Sequence, residues 1–129
     1  MSSFLDEMSA ASAARLRAAR ARLSEAALLD RAVHAAAAPP LCLSAQGFDL
    51  IAELKLRSPA AGALGTPGTA IGQRAIAYAR AGAAAVSVLT EPSRFDGALS
   101  HLHEAARALV PFGVPAMRKD FLIDPYQVL

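Results

Sequence analysis

PheAspLeuIleAlaGluLeuLys at residues 48–55, AlaAlaValSerValLeu at 84–89 and ValProAlaMetArg at 114–118 decide the reading of the fold. Each is a short apolar run of strand length, and the first continues through Leu56 and Arg57 to a Ser-Pro stop. Between the first two lies a helical pattern at about 69–81, ending at Gly82; between the second and third lies another at about 97–109, ending near Pro111 and Gly113. Strand, helix, strand, helix, strand at this spacing predicts βαβ units and a parallel sheet.

Toward the amino terminus the texture is helical. Residues 1 to about 38 carry Leu16, Leu23, Leu28, Leu29 and Val33 on a broad stripe among Arg15, Arg17, Arg20 and Arg22, and Pro39 and Pro40 stop the run. Ser3 or Ser12 can cap a helix start, with Asp6 and Glu7 near the positive end. The arginines read as a solvated face or as a docking surface for another element. The division expected is a helical extension at 1–40 and an α/β portion at 41–129. Only eight residues follow Phe121. That is fewer than the dozen or more a crossover needs, so the pattern predicts an exposed sheet edge and an open core, an edge available to a complementary half-barrel or to self-association.

Composition narrows the function classes. The chain has 129 residues, 54% of them hydrophobic, which suits one modest globular domain and argues against disorder. Thirteen Lys and Arg against eleven Asp and Glu give a net charge of +2, too small and too dispersed to predict binding to nucleic acid or a membrane surface. No leader or spanning segment is evident, so the expected location is the cytoplasm. Cys42, the only cysteine, reads as a half-buried small hydrophobe near a strand. His34, His101 and His103 form no zinc ligand set, no Ser-His-acid arrangement can be placed, and Met117 reads as packing. No metal or cofactor is expected.

Chemistry-bearing residues gather at the carboxyl ends of the strands, where functional loops of parallel sheets lie. Glu53 and Lys55 share one side of the first strand, because side chains alternate with period two. They are either an internal ion pair that ends the strand or a functional pair. Lys119, followed by Asp120, is either half of a surface salt bridge or a proton donor. Thr90 and Glu91 follow the second strand. SerProAlaAlaGlyAlaLeuGly at 58–65 has the small-residue character of an anion-binding loop, although Pro59 and Gly62 also explain a simple change of direction.

IleAlaGluLeuLysLeuArgSerProAlaAlaGly at 51–62 resembles the first-strand motif of indole-3-glycerol phosphate synthases. SerValLeuThrGlu at 87–91 followed by ArgPheAspGly at 94–97 resembles their second-strand motif, and MetArgLysAspPheLeuIleAspProTyrGln at 117–127 their third. The resemblance implies an α/β fold: part of a TIM (β/α)8 barrel of the ribulose-phosphate-binding type, with about three amino-terminal strands preceded by helices. It implies a carboxy-lyase of tryptophan biosynthesis that needs no cofactor. Its substrate would be a small phosphorylated aromatic sugar, 1-(2-carboxyphenylamino)-1-deoxyribulose 5-phosphate. By motif, Lys119 would be the general acid, Lys55 would hold the anionic groups, and Glu53 would orient Lys55. Ser58 would help to position the anionic end, and Phe95 and Phe121 would wall the aromatic ring.

This sequence departs from the family pattern at Leu56, Ala60, Ala61, Arg94 and Ala98, all in the substrate loops. A full barrel takes about 250 residues, and the family draws its general-base glutamate and most of its phosphate site from later strands, so the 129 residues alone are expected to be inactive. Two alternatives stand beside the synthase: another phosphate-sugar barrel enzyme such as an isomerase, and a noncatalytic half-barrel that pairs with itself or with a complementary half.

Overall fold

The structure, a computed structural model, describes residues 3–64 and 70–129, so the starts of the helical pattern expected at 69–81 and the end of the loop at 58–65 lie outside the described residues. Two compact units are formed, one of Met1–Ala37 with Phe121–Leu129 and one of Ala38–Asp120.

In the first unit the helical run is broken in two. Helix α1 spans Phe4–Arg22, opened by a capping box in which the Ser3 hydroxyl accepts from the Asp6 N–H at 3.2 Å and the Asp6 carboxylate accepts from the Ser3 N–H at 2.9 Å. Helix α2 spans Glu25–Val33, and Ser24 starts it by accepting from the Ala27 N–H at 3.2 Å. The helical stretch read at 1 to about 38 is thus two helices: Leu23 leaves the helical region at φ −141° and lets Ser24 cap a new start. Ser3, and not Ser12, is the amino-terminal cap of α1.

Ser12 is fully buried inside α1 and ties down the carboxyl-terminal segment. Its hydroxyl donates to the Phe121 carbonyl and accepts from the Gln127 side-chain amide at 2.9 Å. Phe4 meets Phe121 edge-on with ring centroids 6.0 Å apart. Arg20 stacks over the Tyr126 ring at 5.3 Å and pairs with Asp124 at 2.9 Å, while the Tyr126 hydroxyl donates to the Leu23 carbonyl at 2.8 Å. This arginine therefore docks a neighbouring element. A single 3-10 turn forms at Pro125–Gln127, capped by Asp124.

The second unit carries a three-stranded parallel sheet. Strand β1 is Ile51–Leu54; a two-residue ribbon of β2 (Arg57–Ser58) and β3 (Gly62–Ala63) follows, antiparallel and turned through Gly62 at φ +68°. Helix α3 (Ile71–Arg80) leads to β4 (Ala85–Leu89); short α4 (Pro92–Phe95) and α5 (Leu99–Leu109) lead to β5 (Ala116–Lys119). The order is β1-β4-β5, with Glu53 opposite Ser87, Ser87 opposite Met117, and Leu89 opposite Lys119.

Alternation sorts the two sheet faces. Leu54, Val86 and Val88 point to the face covered by α3 and α5, where Ile71, Ala75, Ala105 and Leu109 complete the core. Each fully buried aliphatic side chain contributes about 1.5–3 kcal/mol. Ala70 gives α3 no side-chain cap; Glu104 on α5 supplies one by accepting from the Gly72 N–H at 2.7 Å. On the opposite face Ile51 is 50% and Met117 45% exposed, so Met117 is not the packed residue expected. Cys42 is likewise exposed, not half-buried, because the chain around it forms neither helix nor strand.

Candidate active site

Glu53 and Lys119 come from strands that do not pair with each other. Both side chains leave the sheet on the face away from α3 and α5, with β4 between them, and Lys119 sits two residues beyond the level of Glu53. The lysine's four-carbon stem covers that diagonal. Its Nζ reaches one Glu53 oxygen at 2.5 Å, and Lys55 Nζ reaches the other at 2.7 Å. Lys55 lies just past the end of β1, so the two cations approach the carboxylate from different strands. Partial burial opposes ionisation of Glu53, but hydrogen bonds and charge from Lys119 and Lys55 outweigh it and hold the carboxyl below its ordinary value. The glutamate side chain is 26% exposed, Lys55 33% and Lys119 53%, leaving both ammonium groups within reach of a ligand.

Beneath this bridge lies Ser87, 3% exposed, at the register of Glu53; its hydroxyl has no hydrogen-bond partner among the described residues. A small side chain on β4 is what allows an ion pair to cross over the middle strand.

The loop after β4 is built from its own backbone. Glu91, fully buried, caps α4 by accepting from the Ser93 N–H at 2.9 Å, the Arg94 N–H at 2.7 Å and the Ser93 hydroxyl at 2.6 Å. Asp96 closes α4 in the left-handed region at φ 53°, which aspartate tolerates better than most residues. Gly97 then folds back on the strand end, its N–H donating to the Glu91 carbonyl at 2.9 Å. A Cβ there would stand 2.5 Å from the Leu89 carbonyl oxygen, 2.7 Å from the Thr90 carbonyl carbon and 2.8 Å from the Glu91 nitrogen. Only glycine permits this return, which sets the half-buried Phe95 at the rim of β4.

Of the expected site residues, Glu53, Lys55 and Lys119 are brought together. Ser58 stands on β2, its hydroxyl accepting from the Ala60 N–H at 3.3 Å, the turn-capping role open to it from sequence. Arg57 does not continue the first strand; it starts β2 and pairs with Asp96 at 3.8 Å. Phe95 ends α4, whereas Phe121 belongs to the other unit and packs on Phe4. Asp120 is not the partner of Lys119, since it lies on the other side of the chain with Thr90 and Arg118. Sequence reasoning gave Thr90 no role; a hydroxyl residue directly after a buried strand was the available signal. Among the described residues no His, Cys, Asp and Glu group could hold a metal ion.

Parallel strands joined by helices, with a carboxylate and two lysines converging past their carboxyl ends, define an α/β chain consistent with a partial β/α barrel. Residues 5–129 match the family described as indole-3-glycerol phosphate synthase, and the chain belongs to that family. It is 51% identical over 87 residues to an indole-3-glycerol phosphate synthase of Parafrankia sp. (strain EAN1pec), covering 67% of this chain and 31% of that relative. It is 46% identical over 102 residues to the synthases of Mycobacterium ulcerans (strain Agy99) and Mycobacterium tuberculosis (strain ATCC 25618 / H37Rv), covering 76% of this chain and 36% of each. The chain thus spans about a third of the length of the curated relatives it matches.

Proposed function

We propose that this chain supplies the first three strands of an indole-3-glycerol phosphate synthase barrel, with residues 1–40 as a helical extension and 41–129 as the barrel portion. The cluster of Glu53, Lys55 and Lys119 carries the reading. The reaction joins the carboxylate-bearing aromatic carbon of 1-(2-carboxyphenylamino)-1-deoxyribulose 5-phosphate to its sugar carbonyl carbon, then releases carbon dioxide and water. Negative charge develops on the carbonyl oxygen as the ring closes. Lys119 donates the proton there and assists the later departure of that oxygen as water. Lys55 holds the substrate carboxylate by charge until decarboxylation. Glu53 keeps both ammonium groups aimed before substrate arrives, which lowers the cost of organising them in the transition state.

Ser58 steadies the anionic end, and Phe95 and Phe121 bound the aromatic ring. A soluble phosphorylated substrate suits a cytoplasmic enzyme, and among the described residues no helix is long and apolar enough to cross a membrane. A second reading, association of the sheet with complementary strands, is favoured by Ile51 and Met117 at 50% and 45% exposure on strands at the two sheet edges.

The test is turnover of the carboxyphenylamino substrate by the full gene product, followed by the appearance of indole absorbance. Lys119→Met is expected to lower kcat by about a hundredfold to ten-thousandfold, the range of a lost general acid. Retention of kcat within about tenfold would remove Lys119 from that role. No turnover by a complete barrel that carries these residues unsubstituted would refute the synthase reading itself, whereas the 129 residues alone are expected to be inactive.

A further inference from the structure

Directly behind Lys119, on the helix-covered side of the sheet, lies a second polar set. The Thr90 hydroxyl donates to Asp120 Oδ2 at 2.8 Å; Arg118 Nη2 reaches the same oxygen at 3.3 Å, and Arg118 Nε donates to the Thr90 hydroxyl at 3.2 Å. The Asp120 side chain is 1% exposed and Thr90 is 4% exposed. Thr90 also grips the backbone, because its N–H donates to the Lys119 carbonyl at 3.0 Å. One residue at the end of β4 therefore holds residue 119 by its main chain and residue 120 by its side chain.

We propose that Thr90 and Asp120 are positioning residues for Lys119, fixing the end of β5 so that its amine meets Glu53 across the middle strand. Two features carry this. First, among the described residues Lys119 is held through its backbone and its distant amine, and Thr90 grips both the carbonyl that follows the Lys119 side chain and the side chain of the next residue. Second, the carboxylate next to Lys119 in sequence is occupied. Asp120 is buried and matched by Arg118, which leaves Glu53 as the carboxylate that the lysine engages. Buried and satisfied networks of this kind resist rearrangement because breaking one member strands another. The inference deepens the synthase reading, but its test does not depend on turnover.

The Glu53 carboxyl is the reporter, since Lys119 and Lys55 face it directly and the Tyr78 hydroxyl meets only its backbone carbonyl, at 3.5 Å. Its titration is followed by carbon-13 NMR of the 129-residue chain. Lys119→Met defines the upward displacement produced by losing the amine. Thr90→Val keeps the volume but removes the hydroxyl, and is expected to move the Glu53 midpoint the same way, as is Asp120→Ala. Thr90→Ser and Asp120→Asn retain the hydroxyl and its acceptor, and are expected to leave it near the unsubstituted value. A merely structural role would lower stability in Thr90→Val without moving Glu53. That result, or an unmoved midpoint in Lys119→Met, overturns the proposal. If Asp120→Ala does not fold, Thr90→Val decides alone.

Discussion

Gly97→Ala adds one methyl group at a place where the chain leaves no room for it. The new Cβ would lie 2.5 Å from the Leu89 carbonyl oxygen, about 0.9 Å inside ordinary contact at 3.4 Å, with two further backbone atoms within 2.8 Å. None of the three can rotate away. Leu89 and Thr90 end the central strand, which is paired on both sides, so the relief must come from the loop at 92–97. Moving it stretches the Gly97 to Glu91 hydrogen bond, worth about 0.5–1.5 kcal/mol. Overpacking of this kind adds about 1–3 kcal/mol. The expected loss is therefore about 2–4 kcal/mol, or a fall in Tm on the order of 10 °C for a chain of this size. Circular dichroism melts and urea titrations of the two proteins measure it. A Gly97→Ala protein within about 0.5 kcal/mol of the unsubstituted chain would refute the reasoning, since changes of that size are typical of sites without such a constraint.

Ser87→Ala should act in the opposite direction. The buried hydroxyl has no partner among the described residues, so removing it spares a desolvation penalty of about 1–3 kcal/mol, less a little lost packing. An unchanged or lower urea midpoint would count against this. Glu53 ties stability to pH: its folded carboxyl lies below the unfolded value, so its contribution is present above about pH 4.3 and is lost as pH falls through the folded value. With the lysines partly exposed the effect is about 1 kcal/mol. Glu53→Gln should flatten that limb in melts from pH 6 to pH 3, and an identical acid limb in both proteins would show that the ion pairs contribute nothing.

The strands were legible because 48–55, 84–89 and 114–118 each carry a short apolar stretch that ends at polar or turn residues, and the helices between them because their apolar positions recur on one face. The break at Leu23 and Ser24 was not, since alanine on both sides favours helix equally well; Ser24 before Glu25 was the one cap signal. Glu91 looked like a strand-end charge, yet Pro92 after it marks a helix start, and a buried carboxylate serves there as the cap. Period two placed Glu53 and Lys55 together. The meeting of Glu53 with Lys119, 66 residues apart in sequence, depends on strand order and register, which the residue pattern alone does not specify. Lys119 and Asp120 do not pair, because neighbours in an extended chain face opposite ways.

The alternation of side chains along β5 also governs how the chain finds its alignment. Arg118, Lys119 and Asp120 alternate between a face filled by helices and a face open above Ser87. Sliding β5 by one residue would keep every backbone hydrogen bond available to a parallel pair, yet it would press a lone ammonium among Val88 and Leu109 and leave Thr90 without its carboxylate. An unpaired charge in such surroundings costs several kcal/mol. Misaligned docking of the third strand is thus rejected by electrostatics as well as by hydrophobicity, and the alternating charges of β5 select its alignment.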